Sequence, residues 1–223
     1  MITTRSYFKG EIAIANAADK APNSNLLGNG LSLDQFIARY ERDVLTRVLG
    51  YDLYKLFSDQ FDVSASTGLW TLKSGADAKW GELLTGKQYT LSGVEVKWQG
   101  LIFKDGTIND GIEQSLIAYY VYGKFIEATE FSHSGVGMQA ELSKNSIRTD
   151  ARSKVVDAFN SFYDLAIGDG HYYNDVYYFN THYNNSGYRS LYDFIGDMNA
   201  LDSATYPNWC PTNSFKLENR YGL

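Results

Sequence analysis

The chain has 223 residues, 44% of them hydrophobic, with 20 Lys and Arg against 26 Asp and Glu, a net charge of −6 and a single cysteine, Cys210. A chain this long buries roughly 70% of its unfolded surface without crosslinks, and one cysteine excludes an intramolecular disulfide. The charges are interspersed, whereas a grip on DNA phosphates requires clustered Lys and Arg.

The first residues, MITTRSYFKGEIAIANAADK, do not read as a signal peptide, because Glu11 and Asn16 interrupt a short apolar stretch. No unbroken apolar run approaches the ~20 residues of a membrane helix, so a soluble protein without membrane partners is expected. Residues 16 to 30 are rich in Asn, Gly and Pro and read as an irregular arm. Ser32 and Gln35 form a capping box for a helix whose apolar stripe is Phe36, Ile37, Tyr40, Val44, Leu45, Val48 and Leu49. Gly50 stops it as an αL cap. A short helix from about Asp52 to Gln60 follows, with Leu53, Leu56 and Phe57 inward.

From Asp62 to Gly75 the composition loosens into Ser, Thr and Gly, and Ala78 to Leu84 forms a short helix carrying Trp80, Leu83 and Leu84. Tyr89 and Leu91, then Val94, Val96 and Trp98, alternate about Ser92-Gly93, which predicts a β-hairpin over about 88–98. An isolated hairpin is marginal, so this one packs on the helices or pairs with another chain. Asp110 opens a helix to about 130 that is apolar around much of its circumference and therefore central. Phe131 to Arg148 has no helical period and reads as a long functional loop. Thr149 or Asp150 caps a last core helix to about Ile167, with Val155, Val156, Phe159, Phe162 and Leu165 on its apolar face.

After Gly168 the chain is rich in Tyr, Asn, Gly and His with few aliphatics. Residues 190 to 200 allow one more helix. The expected architecture is therefore mainly α: a compact bundle of about four to five helices over 1–168 with an inserted hairpin and a long loop. An irregular Tyr-rich appendage over 169–223 completes it. The chain carries 18 Tyr, 12 Phe and 4 Trp, and tyrosine favours interfaces because it joins a large contact face to a polar tip. The clustering of tyrosines near the C-terminus favours that use over plain core filling.

Chemistry is hard to find. His133, His171 and His182 lack a ligand partner at helical spacing, and Cys210 has no local base or cation, so it reads as a small buried side chain. The GVG at 135–137 lacks the Lys and frame of a phosphate loop, and the GDG at 168–170 reads as a helix terminator. Asp164 and Asp169 lack the cleft that a glycosidase dyad needs. No catalytic, metal or cofactor residue is assigned, and a non-enzymatic role is expected. Tryptophan and tyrosine faces could stack on sugars, but carbohydrate-binding modules are usually β-sandwiches.

MITTRSYFKGEIAIANA, SLDQFIARYERDVLTRVLGYDLYKLF, GKQYTLSGVEVKWQGL, IAYYVYGKFI, GVGMQAE and KVVDAFNSF together resemble a family of head–tail connector proteins from Bacteroidetes-infecting phages. That family includes the ring proteins beneath the portal in crAss-like phages. The likeness covers roughly 1–168, and its most specific words are Leu49 to Tyr54 and Trp98 to Leu101. It implies a virion protein, made in the bacterial host cytoplasm, that forms a ring of about twelve copies in the neck and continues the DNA channel below the portal without gripping the DNA. Within that picture, Ser134, Gly135, Val136, Gly137 and Met138 are the expected docking loop. Tyr89, Val94, Val96, Tyr172, Tyr173, Tyr177, Tyr178 and Tyr183 are the expected contacts between subunits. A tail terminator or a head decoration protein is the alternative within the virion.

Overall fold

In a computed structural model, residues 1–14, 33–105, 112–130, 132–134, 137–139, 151–168 and 188–212 are described. They form six α-helices and nine short strands around one hydrophobic core. The helical body with an inserted hairpin is therefore what the chain builds.

Helix α1 (Leu33–Leu49) buries the stripe that its periodicity announces: Phe36, Ile37, Val44, Leu45, Val48 and Leu49 are all enclosed. Its proposed cap Ser32 lies outside the described residues. Gly50 separates it from α2 (Tyr51–Ser58) with φ 78° and ψ 158°, an extended mirror-image conformation rather than the αL cap expected from sequence. Of the three residues expected inward on α2, Leu53 and Phe57 are fully buried, but Leu56 is 39% exposed. The stretch after α2 is not loose: β1 (Phe61–Val63) pairs antiparallel with β2 (Trp70–Leu72).

Helix α3 (Ala78–Thr85) starts where the Asp77 carboxylate accepts the Lys79 N–H, and it buries Trp80 and Leu83. The expected hairpin is β3 (Lys87–Leu91) and β4 (Val94–Trp98), turning through Ser92 and Gly93, both at positive φ. That is the backbone a two-residue hairpin turn requires. A second hairpin, β5 (Ile102–Asp105) with β6 (Ile112–Ser115), takes residues assigned by sequence to the start of the central helix. The helix, α4 (Leu116–Glu130), begins six residues later than expected because the buried Ser115 hydroxyl accepts the Ala118 N–H and caps it there. Leu116 through Tyr122 are buried without a gap, so α4 is enclosed on every side, packed chiefly between α5 (Ala151–Ala166) and α1.

The expected long loop holds a small hairpin, with β7 (Ser132–Ser134) antiparallel to β8 (Gly137–Gln139). Residues 140–150 lie outside the described set. The boundary drawn at 168 needs correction. β9 (Tyr188–Arg189) adds in parallel to β4, and α6 (Leu191–Leu201) buries Leu191, Phe194, Ile195 and Met198 in the same core. Residues 188–212 thus belong to the body, because Phe194, Met198 and Tyr206 add to the apolar area of the few aliphatics, Leu191 and Ile195. Residues 169–187 and 213–223, the rest of the expected appendage, lie outside the described residues.

Candidate interaction surface

The surface grows from one buried acid. Glu41 continues the apolar stripe of α1, four residues after Ile37 and four before Leu45, and is 2% exposed. A carboxylate so placed must be hydrogen-bonded. It accepts the Ile2 N–H at 2.8 and 3.0 Å and the Thr3 N–H at 2.7 Å. The Met1 amine lies 3.9 Å away, and the Trp70 N–H donates to the Met1 carbonyl. Glu41 therefore stitches the first residues to α1, and Met1 stitches them on to β2. Burial pushes the Glu41 carboxyl above its ordinary range, opposed by the Thr3 amide, the Met1 amine and the Ile2 amide.

Beside this stitch, α1, α2, Met1 and Trp70 enclose a cleft of about 390 Å³. Tyr51, Tyr54 and Trp70 supply aromatic wall, and Arg42 and Lys55 supply positive charge. Neither cation forms an ion pair among the described residues. Tyr51 is 66% exposed at the rim, with exposed Leu56 on the same helix and Val63 on β1. The Tyr54 hydroxyl is pushed up by burial, partly offset by the nearby Arg42 guanidinium. The cleft is thus cationic and aromatic in a chain of net charge −6.

Most described aromatics serve elsewhere. Tyr89 and the stacked Trp98 both lie on Phe194, which meets Tyr206, and the contacts continue through Trp80, Phe57, Phe61 and Trp70 at centroid spacings of 4.8–6.0 Å. This train of rings runs from the hairpin through α6, α3 and α2 to the cleft. Buried tyrosines also donate to carboxylates: Tyr89 to Asp197 at 2.6 Å, Tyr120 to Asp43 at 2.6 Å, and Tyr119 to Glu11. Burial, then the adjacent carboxylate, pushes all three phenols upward, so they act as neutral donors.

Of the contacts expected between subunits, Tyr89 and Val96 are turned into the chain's own core, 9% and 3% exposed, because they face each other across the hairpin on its inner side. Among the described ones only Val94, 54% exposed near the turn, remains available. Tyr172, Tyr173, Tyr177, Tyr178 and Tyr183 lie outside the described residues. In the expected docking loop, Ser134 pairs with Gly137 and Met138 with His133 across the small hairpin, and Gly135 and Val136 lie outside the described residues. Cys210 is exposed, not buried as its apolar neighbours suggested. Among the described residues no three His, Cys, Asp or Glu gather as a metal site, and no helix is long and apolar enough to cross a membrane. His171, His182 and Asp169 lie outside that set.

Arg42, Lys55 and Trp70 were missed because the cleft exists only after α1, α2 and β2 have packed. Glu41 had a signal, an acid on an otherwise apolar helical stripe. No family model, curated protein or solved structure matches the chain.

Proposed function

We propose that the chain is a non-catalytic structural subunit of a tailed bacteriophage, a head-to-tail connector that forms a neck ring below the portal and continues the DNA channel. In this reading it is made in the bacterial host cytoplasm and built into the virion, with about twelve copies closing the ring. The phage assignment rests on the resemblance carried by Leu49 to Tyr54 and Trp98 to Leu101.

The structural observation that supports a ring is the placement of exposed apolar side chains. Tyr51 and Leu56 are exposed on α2 and Val63 on β1, whereas Val94 is exposed on the hairpin and Leu201 at the end of α6. A closed ring needs two different surfaces on each copy, one for each neighbour. A dispersed negative charge suits a wall past which DNA slides.

The test is quantitative mass spectrometry of purified particles, counting this protein against the portal. About one copy per portal subunit is expected. Hundreds of copies would instead assign it to the capsid or tail tube, and absence from particles would remove it from the virion.

A further inference from the structure

The cleft between α1 and α2 joins aromatic wall to Arg42 and Lys55, which have no ion-pair partner among the described residues. The Glu41 carboxylate that also lines it is already engaged by the Ile2 and Thr3 N–H groups and the Met1 amine, so the cleft's complement is apolar and acidic together. The same chain presents that combination at the end of α6. Leu201 is 62% exposed, and Asp202, Ser203 and Ala204 after it are exposed too. This turn is held in shape. The Asp202 N–H donates to the Met198 carbonyl at 2.9 Å, the Ala204 N–H to the Asp202 carboxylate at 2.9 Å, and the Thr205 N–H to the Asp202 carbonyl at 2.9 Å. Asn199 bonds the Tyr206 backbone in both directions, at 2.9 and 3.1 Å. The negative end of the α6 dipole adds to the Asp202 charge. Lys79 lies nearby, 3.5 Å from the Ala204 carbonyl, but is itself within 4.0 Å of Asp77.

We propose that the cleft is the socket for the Leu201–Ala204 turn of a second copy of this chain. Leu201 enters between Tyr51 and Trp70, and Asp202 faces Arg42 and Lys55. The contact is head-to-tail, so it propagates around a ring, and it rests on the ring reading given above. About 390 Å³ is near the lower end of ligand pockets, a size for a few side chains rather than a whole helix. The turn is already rigid, so docking orders little new chain. Because charges of opposite sign face each other at an exposed rim, association weakens as salt rises.

The test uses the full chain with Cys210→Ser, which removes the one native thiol from an exposed position. Lys55→Cys and Ser203→Cys are added, alone and together, and the protein is oxidised mildly at high concentration. The double variant is expected to give a ladder of covalent dimers and larger species. Each single variant gives none, and an equal mixture of the two stops at dimers. Two further variants, Arg42→Glu with Lys55→Glu and Leu201→Asp, are each expected to weaken self-association at least tenfold by sedimentation velocity. All three positions are exposed, so the fold is retained. If the wild type associates but no ladder forms and neither variant weakens it, the socket assignment is overturned and the ring reading stands. A dimer from Lys55→Cys alone indicates a symmetric contact and also overturns it. A wild type that stays monomeric and shows no ladder overturns both.

Discussion

The carbonyl oxygen of Cys210 stands 2.3 Å from where a Cβ on Gly50 would sit. The C-terminal segment therefore lies directly on the backbone of the α1–α2 corner, and it is fastened there. The Thr212 N–H donates to the Arg47 carbonyl at 2.9 Å and the Trp209 indole to the Val48 carbonyl at 3.1 Å, satisfying orphan acceptors at the end of α1. Gly50→Ala is expected to cost about 1–3 kcal/mol for its positive-φ extended backbone alone, and more because the Cys210 segment must move. Gly93→Ala shares a positive φ but meets no atom within 4 Å, so it should show only the first cost. Urea unfolding of the two variants measures the difference.

Glu41 should make stability fall with rising pH. Its folded pKa is raised, so its contribution is complete below the unfolded value near 4.5 and is lost as pH climbs through the folded value. Above pH 4.5 the unfolded chain releases this proton while the folded chain still holds it. Unfolding free energies measured at several pH values above 4.5 should therefore drop more steeply for the wild type than for Glu41→Gln. Parallel pH profiles would refute the assignment.

Tyr89 separates a fold contact from an assembly contact. Tyr89→Phe removes a bond to the Asp197 carboxylate and is expected to cost about 1.5–3 kcal/mol, the range for hydrogen bonds to charged groups. Arg189, 3.1 Å from the same carboxylate, keeps Asp197 paired. Tyr89→Ala also empties the space against Phe194 and should cost about 3–5 kcal/mol. Thermal unfolding of the isolated chain reads both effects without any assembly.

Truncation after Gly168 should yield a chain that does not fold. It removes Leu191, Phe194, Ile195, Met198 and Tyr206 from the core and strips the cover from Trp80 and Trp98. Near-ultraviolet dichroism should be lost and tryptophan emission should shift to the red. A truncated chain that keeps native spectra would show that 169–223 is an appendage after all.

The helices were legible because each presents its apolar residues at a local period, and α1, α3 and the hairpin turn fall where periodicity and turn chemistry place them. The short strands of β1, β2, β5 and β6 were not, since three or four residues carry little pattern and their pairing is settled by tertiary contacts. Helix α6 was under-read as part of the body because its core positions are aromatic or sulfur-bearing as well as aliphatic. The two most specific words of the resemblance fall at close approaches. Leu49 and Leu53 bracket the Gly50–Cys210 contact, and a Cβ on Gly100 would stand 2.6 Å from the Gly86 amide nitrogen. The candidate cleft was invisible in sequence, since Met1, Arg42, Lys55 and Trp70 meet only in the folded chain.

The parallel pairing of β9 with β4 joins Lys97 to Tyr188 and Trp98 to Arg189 across a long stretch of the 223-residue chain. During synthesis, Trp98 and the hairpin leave the ribosome long before the helix that roofs them exists. Loop closure over such a span is slow, so the nascent chain exposes a sticky aromatic floor until residues 188–212 arrive. Synthesis of residues 188–212 is then the event that seals the body, and fragments terminated before it are marked for chaperones and proteases by that open floor.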